Sequence, residues 1–140
     1  MKLFVDTWAW FVLADSKNVD FNETLGAYRR SLHSGGRIYT TEYVLDELIT
    51  LLYLRASTER AERYITGILK SSEDNQLVIE RITPTRFQKA WSLRKKYGER
   101  ADISFTDFCS FAIMKEFQIE RVLTGDAHFE EVNLGFTRMP

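Results

Sequence analysis

Four carboxylates, Asp6, Glu47, Asp107 and Asp126, stand in or beside segments that are otherwise apolar enough to be buried. Asp6 ends the run Leu3-Phe4-Val5, and Asp126 follows Val122-Leu123-Thr124-Gly125. Asp107 opens the stretch Phe108-Cys109-Ser110-Phe111-Ala112-Ile113-Met114. Desolvating an unpaired carboxylate costs several kcal/mol or more. If the fold gathers the four, their repulsion must be offset, and the usual offset is a divalent cation that prefers oxygen ligands. The chemistry so indicated is metal-dependent reaction at phosphate.

Each acid also suits a plainer role. Asp6 is a natural N-cap for a following helix. At about 100° per residue, Val44, Leu48, Leu51 and Leu52 form an apolar face with Glu47 at its edge, where a snorkelling border residue also fits. Glu42 and Asp46 fall on the opposite side and read as solvated charges. Ser104-Phe105-Thr106-Asp107 resembles a capping box, yet the helix that Asp107 opens is apolar nearly all round. Asp126 suits a turn after Gly125, and Glu130 or Glu131 can take its place in a site. Asp102 either joins the acids or faces solvent, the second being favoured. His128 is a weak ligand candidate, because a lone histidine usually packs or faces water.

The elements that must position these residues alternate in type. Strands are expected over 2–5, 37–40, 77–82 and 121–124, with a weak fifth after Gly135. Helices are expected over 8–14, 22–34, 41–54, 58–70, 85–97 and 104–117, with a polar loop over 71–76. Gly35-Gly36 suit a left-handed cap, Thr85 an N-cap and Gly98 a stop. Strands separated by helices imply parallel pairing through right-handed crossovers, hence an α/β fold of three layers. Ligands of such sheets bind beyond the carboxyl ends of the strands, where strand order reverses. Asp6 and Asp126 both sit just past a strand end, so one end of the sheet can collect all four acids.

The chain has 140 residues, 44% of them hydrophobic, with two prolines and seven glycines, which suits a single domain over 1–140 and argues against disorder. A formal charge of −1 gives no global attraction to polyanions, so such a partner must be held by a local patch. The candidates are Arg55, Arg60, Arg63, Arg86, Lys89, Arg94, Lys95 and Lys96. One cysteine, Cys109, excludes an internal disulfide, and with two histidines it cannot build a usual zinc site. Neither a signal peptide nor a stretch of about 20 apolar residues is present, so a cytoplasmic protein with no membrane partner is expected. Trp8, Trp10, Phe11, Tyr43 and Trp91 are assigned mainly to the core or a dimer contact.

Taken together, Phe4-Val5-Asp6-Thr7, Val44-Leu45-Asp46-Glu47-Leu48, the segment from Ser104 to Met114, Val122-Leu123-Thr124-Gly125-Asp126-Ala127-His128-Phe129 and Gly135-Phe136 resemble the PIN-domain ribonucleases, and within them the VapC-type toxins. The resemblance spans essentially the whole chain. It implies a three-layer α/β/α fold with a central parallel sheet. It further implies Asp6, Glu47, Asp107 and Asp126 as a catalytic quartet binding Mg²⁺ or Mn²⁺, and endonucleolytic cleavage of RNA that leaves a 5′-phosphate and a 3′-hydroxyl. Of the four, Asp126 matches the most variable position. Thr7 and Thr106 match hydroxyls that hold the acids in place. A homodimer and a small antitoxin partner are implied as well. A catalytically silent PIN domain that binds RNA or protein is the alternative. A phospho-receiver domain is set aside, because no adjacent acidic pair follows the first strand and no Lys closes the last.

Overall fold

The computed structural model describes residues 1–140. In chain order the elements are β1 (Leu3–Val5), α1 (Thr7–Leu13), α2 (Phe21–His33), β2 (Ile38–Thr41), α3 (Glu42–Arg55), α4 (Thr58–Glu73), β3 (Leu77–Glu80), α5 (Pro84–Lys96), α6 (Phe105–Glu116), β4 (Arg121–Leu123), α7 (His128–Glu131) and β5 (Thr137–Met139). All five strands are parallel, in the order β3-β2-β1-β4-β5. Leu3 is in register with Ile38 on one side and Arg121 on the other, so β1 is the central strand. The chain lays β2 and β3 on one side of β1, then crosses to lay β4 and β5 on the other. With right-handed crossovers, that reversal puts helices on both faces, giving the expected three layers. It also opens a crevice between the carboxyl ends of β1 and β4.

The local signals behind these elements are mostly caps. Thr41, Ser57 and Ser104 accept from the amides of Val44, Arg60 and Asp107, and so start α3, α4 and α6. The start of α5 differs from expectation: Thr83, not Thr85, is the cap, accepting from Arg86 N. Pro84 lacks an amide hydrogen and fits N1, and it forces Thr83 into extended backbone, which is the cap conformation. Helix α4 runs through Ser71 and Ser72 to Glu73, because an exposed last turn tolerates polar residues. The short α7 has no counterpart among the expected helices, since one turn carries no periodicity. Glu42 is not a free solvated charge: its Oε1 accepts from Ile82 N at 2.8 Å, tying the start of α3 to the end of β3. Asp46 is exposed, as expected.

Helix α6 is the centre of the packing. Every residue from Asp107 to Met114 is buried, because α6 packs against both α5 and α3. Phe111 in this helix packs against Phe108, Phe129 and Phe136, with ring centroids 5.5, 5.0 and 5.7 Å away. Phe129 belongs to α7 and Phe136 precedes β5, so this cluster anchors the chain end that carries Asp126. No helix is long and apolar enough to cross a membrane. Phe111→Ala should lower unfolding free energy by about 3–5 kcal/mol in chemical denaturation, the range for removing a buried phenyl ring. A loss below about 1 kcal/mol would show that the cluster does not anchor this end of the domain.

Candidate active site

Asp6 lies between β1 and α1 in extended backbone, yet its side chain makes no capping hydrogen bond. Instead Asp6 Oδ2 accepts from Thr124 Oγ1 at 2.9 Å, a bond from the end of β1 to the end of β4. Thr124 Oγ1 in turn accepts from Asp126 N at 3.0 Å, and Asp126 Oδ1 accepts from His128 N at 2.9 Å. The alternating residues Thr124, Asp126 and His128 thus form two successive side-chain turns that fold the chain over the crevice. Gly125 sits within them, where a Cβ would lie 2.6 Å from the Trp8 indole, so only glycine permits this close approach.

Glu47 sits in the second turn of α3, where its Oε1 accepts from Thr7 Oγ1 at 3.0 Å. That is the place in which the sequence put a supporting hydroxyl. Thr106 does not act in the same way: its carbonyl accepts from Ser110 Oγ, and its hydroxyl bonds to no carboxylate. Asp107 uses its amide in the cap of α6, donating to Ser104 Oγ at 3.1 Å. Its carboxylate does not return to the Ser104 amide, so the capping box is half made and the side chain is left to the crevice. There Asp107 Oδ2 lies 3.6 Å from His128 Nδ1, too far for a hydrogen bond, while Asp126 Oδ2 lies 3.0 Å from the same atom.

Asp6, Glu47, Asp107 and Asp126 line one cleft of about 610 Å³, together with Asp102 and His128. They are not equally close. Oxygens of Asp107 and Asp126 and a nitrogen of His128 lie within 4.8 Å of one another, whereas Asp6 and Glu47 stand outside that cluster on the same cleft wall. Asp102 is exposed, as the sequence favoured, but it also borders the cleft, with Oδ2 3.1 Å from His128 Nε2. Arg100 clamps Asp102 and holds its carboxyl below the usual carboxylate range. Glu130 pairs with Arg138 and Glu131 with Arg100, so neither takes the place of Asp126 in the lining. Trp8, Phe11 and Leu51 form an apolar wall.

No Lys or Arg lines this cleft, and the acids are correspondingly perturbed. Burial, then the facing Asp107 carboxylate, push Asp6 up to about 7; Thr124 and the Thr7 amide oppose the rise, and Glu47 adds to it. Burial, then Asp126 and Glu47, push Asp107 up to about 6, against the pull of His128. Carboxyl groups pushed up by burial and by neighbouring carboxylates, with no Lys or Arg between them, suit a site built for a cation. The donor set fits a hard divalent ion, being carboxylate oxygen with one imidazole. His128 Nδ1 adds a second sign, because it is buried and has no well-aligned hydrogen-bond partner.

The sequence gives His128 a weak role and Thr124 none, whereas both are joined to Asp126 by hydrogen bonds. The i, i+2, i+4 spacing of Thr124, Asp126 and His128 was the available signal. A second, more apolar groove, about 490 Å³ between α1, α2 and α4, contains no acid and lies apart from this chemistry.

Comparison with known proteins places this geometry in context. The PIN domain family matches residues 3–134. Among curated proteins, none matches the chain by sequence. Among solved structures, the chain is similar to Mycobacterium tuberculosis VapC20, described as a sarcin–ricin loop cleaving toxin. Identity is 26% over 96% of each chain, with a TM-score of 0.78. It also shares its fold with VapBC2 from Rickettsia felis, solved bound to a DNA fragment from its promoter, at 16% identity over 100% of each chain and a TM-score of 0.74. With nearly the whole chain matched and the parallel sheet carrying its acids at the reversal of strand order, this protein belongs to the PIN-domain family.

Proposed function

We propose that the protein is a metal-dependent endoribonuclease and the toxin of a toxin–antitoxin pair. The observation that carries this reading is the cleft of Asp6, Glu47, Asp107 and Asp126, which holds no Lys or Arg and raises the proton affinity of Asp6 and Asp107. Membership of the PIN family and likeness to a sarcin–ricin loop cleaving toxin support nuclease over other phosphate chemistry. A bound Mg²⁺ or Mn²⁺ would supply an activated water and positive charge against the phosphate. Asp107 and Asp126 would hold the ion most directly, with Asp6 and Glu47 completing the acidic wall. Thr124 and Thr7 each occupy one oxygen of Asp6 and Glu47, which fixes the direction of the other. Products with a 5′-phosphate and a 3′-hydroxyl are expected. The apolar groove between α1, α2 and α4, flanked by Arg60 and Arg63, offers surface for a small antitoxin.

RNA must be gripped away from the acids. Of the basic residues singled out in the sequence, Arg86 is committed to ion pairs with Glu80 and Glu116. Arg94 is committed to the carbonyls of Tyr97, Arg100 and Ile103. Lys89 and Lys96 of α5 remain available and, with Lys115 of α6, line a separate cleft of about 450 Å³. The only acid in that lining, Glu116, is held by Arg86. These three lysines suit the phosphate backbone of the substrate.

Asp6→Asn should reduce Mg²⁺-dependent cleavage of cellular RNA about a hundredfold or more while leaving the fold stable, on the scale of several kcal/mol of lost charge stabilisation. Full cleavage by Asp6→Asn, or cleavage that survives EDTA, would overturn the assignment. Metal binding without any cleavage would favour the silent binding module. Replacing Lys89, Lys96 and Lys115 together by Gln should lower the slope of log affinity for single-stranded RNA against log salt by about two. An unchanged slope would remove the lysine cleft from the RNA path.

A further inference from the structure

His128 is held two residues beyond Asp126 by its own amide, which donates to Asp126 Oδ1. That bond fixes the backbone from which the ring reaches the cleft. Nδ1 is buried, 3.0 Å from Asp126 Oδ2 and 3.6 Å from Asp107 Oδ2, without a well-aligned acceptor. A neutral imidazole carries one N–H and one lone pair, and the position of the proton decides which nitrogen can bind a cation. The surroundings of the far nitrogen bear on this choice. Nε2 lies 3.1 Å from Asp102 Oδ2, and Asp102 is fixed by Arg100, whose Nε and Nη2 donate to its two oxygens at 3.0 and 2.9 Å. Arg100 is itself braced by Glu131 at 2.7 Å. Asp102 is the carboxylate nearest Nε2, so a proton on Nε2 faces that negative charge and leaves the Nδ1 lone pair facing Asp107 and Asp126. Metal-binding histidines are usually oriented by such a carboxylate on the other ring nitrogen.

The geometry points to His128 Nδ1 as a nitrogen ligand of the divalent cation held by Asp107 and Asp126, with Asp102 as the residue that positions the ring. This rests on reading the cleft as a metal site, and it adds a preference: an imidazole ligand favours Mn²⁺ over Mg²⁺, which demands hard oxygen donors. Asp102 and Arg100 acquire a role through it, since their ion pair stands outside the quartet yet governs one of its neighbours.

The direct test is pulsed electron paramagnetic resonance on the full chain loaded with Mn²⁺. The wild-type protein should show modulation from a coordinated imidazole nitrogen, and His128→Gln should lose it. Asp102→Ala keeps the ligand and should retain the nitrogen signal, while Mn²⁺ affinity measured by calorimetry falls about 10–100-fold. Mn²⁺ bound by wild type without nitrogen coupling, or coupling that persists in His128→Gln, would overturn the inference even if metal-dependent RNA cleavage stands. Failure of wild type to bind Mn²⁺ at all would overturn both this inference and the metal reading of the cleft.

Discussion

Repulsion among carboxylates that the fold has partly removed from water is the constraint on which the cleft depends. Asp6 and Asp107 come from opposite sides of the crevice, one from the end of the central strand and one from the first turn of the buried helix α6. Beyond the effect of burial, Asp107 raises the proton affinity of Asp6, Asp126 raises that of Asp107, and Glu47 raises both. A domain that needed only stability would place an arginine there, as this one does for Glu80 and Glu116 with Arg86. Leaving the cleft without a Lys or Arg keeps this repulsion in the fold at a cost in stability, which is what the proposed metal site requires.

The architecture around the acids restrains their motion. Reversal of strand order between β1 and β4 brings residues 118 positions apart into the hydrogen bond of Thr124 with Asp6. The side-chain turns from Thr124 to His128 then bend the chain across the crevice, and Gly125 lets them approach Trp8. Phe129, directly after His128, is locked into the aromatic cluster of α6, so the segment carrying Asp126 is anchored on both sides. Close packing of this kind resists small adjustments, and the acids cannot simply move apart to relieve their repulsion.

Much of this was legible in the sequence, and the reasons differ by level. Strands β1 to β4 announced themselves as short apolar runs, and Ser104, whose hydroxyl caps α6, as a cap before a buried helix. The acids stood out because a charge within an apolar run contradicts its surroundings. Interactions between distant segments left fainter marks. Glu42 reads as solvated from its helical angle, since nothing local reveals the Ile82 amide waiting for it. Asp102 and His128 look ordinary until α7 brings them together. Arg86 and Arg94 look like ligands for RNA, but both are already committed within the fold. Charge and spacing show which groups are unusual; only tertiary contacts show which are free.

The central claim is that the cleft stores carboxylate repulsion that a divalent cation relieves. For an acid whose pKa is raised by folding, stability is fully present below its unfolded value and is lost as pH rises through the folded value. For Asp6 that window runs from about 3.8 to about 7, and for Asp107 from about 3.8 to about 6. The most direct measurement is unfolding free energy from pH 5 to 8, in EDTA and in Mg²⁺, for wild type and Asp6→Asn. The metal-free wild type should lose stability as pH rises, Mg²⁺ should restore more of it at pH 8 than at pH 5, and Asp6→Asn should show a flatter profile in EDTA. A wild-type profile that is flat or rising in EDTA and indifferent to Mg²⁺ would contradict the account.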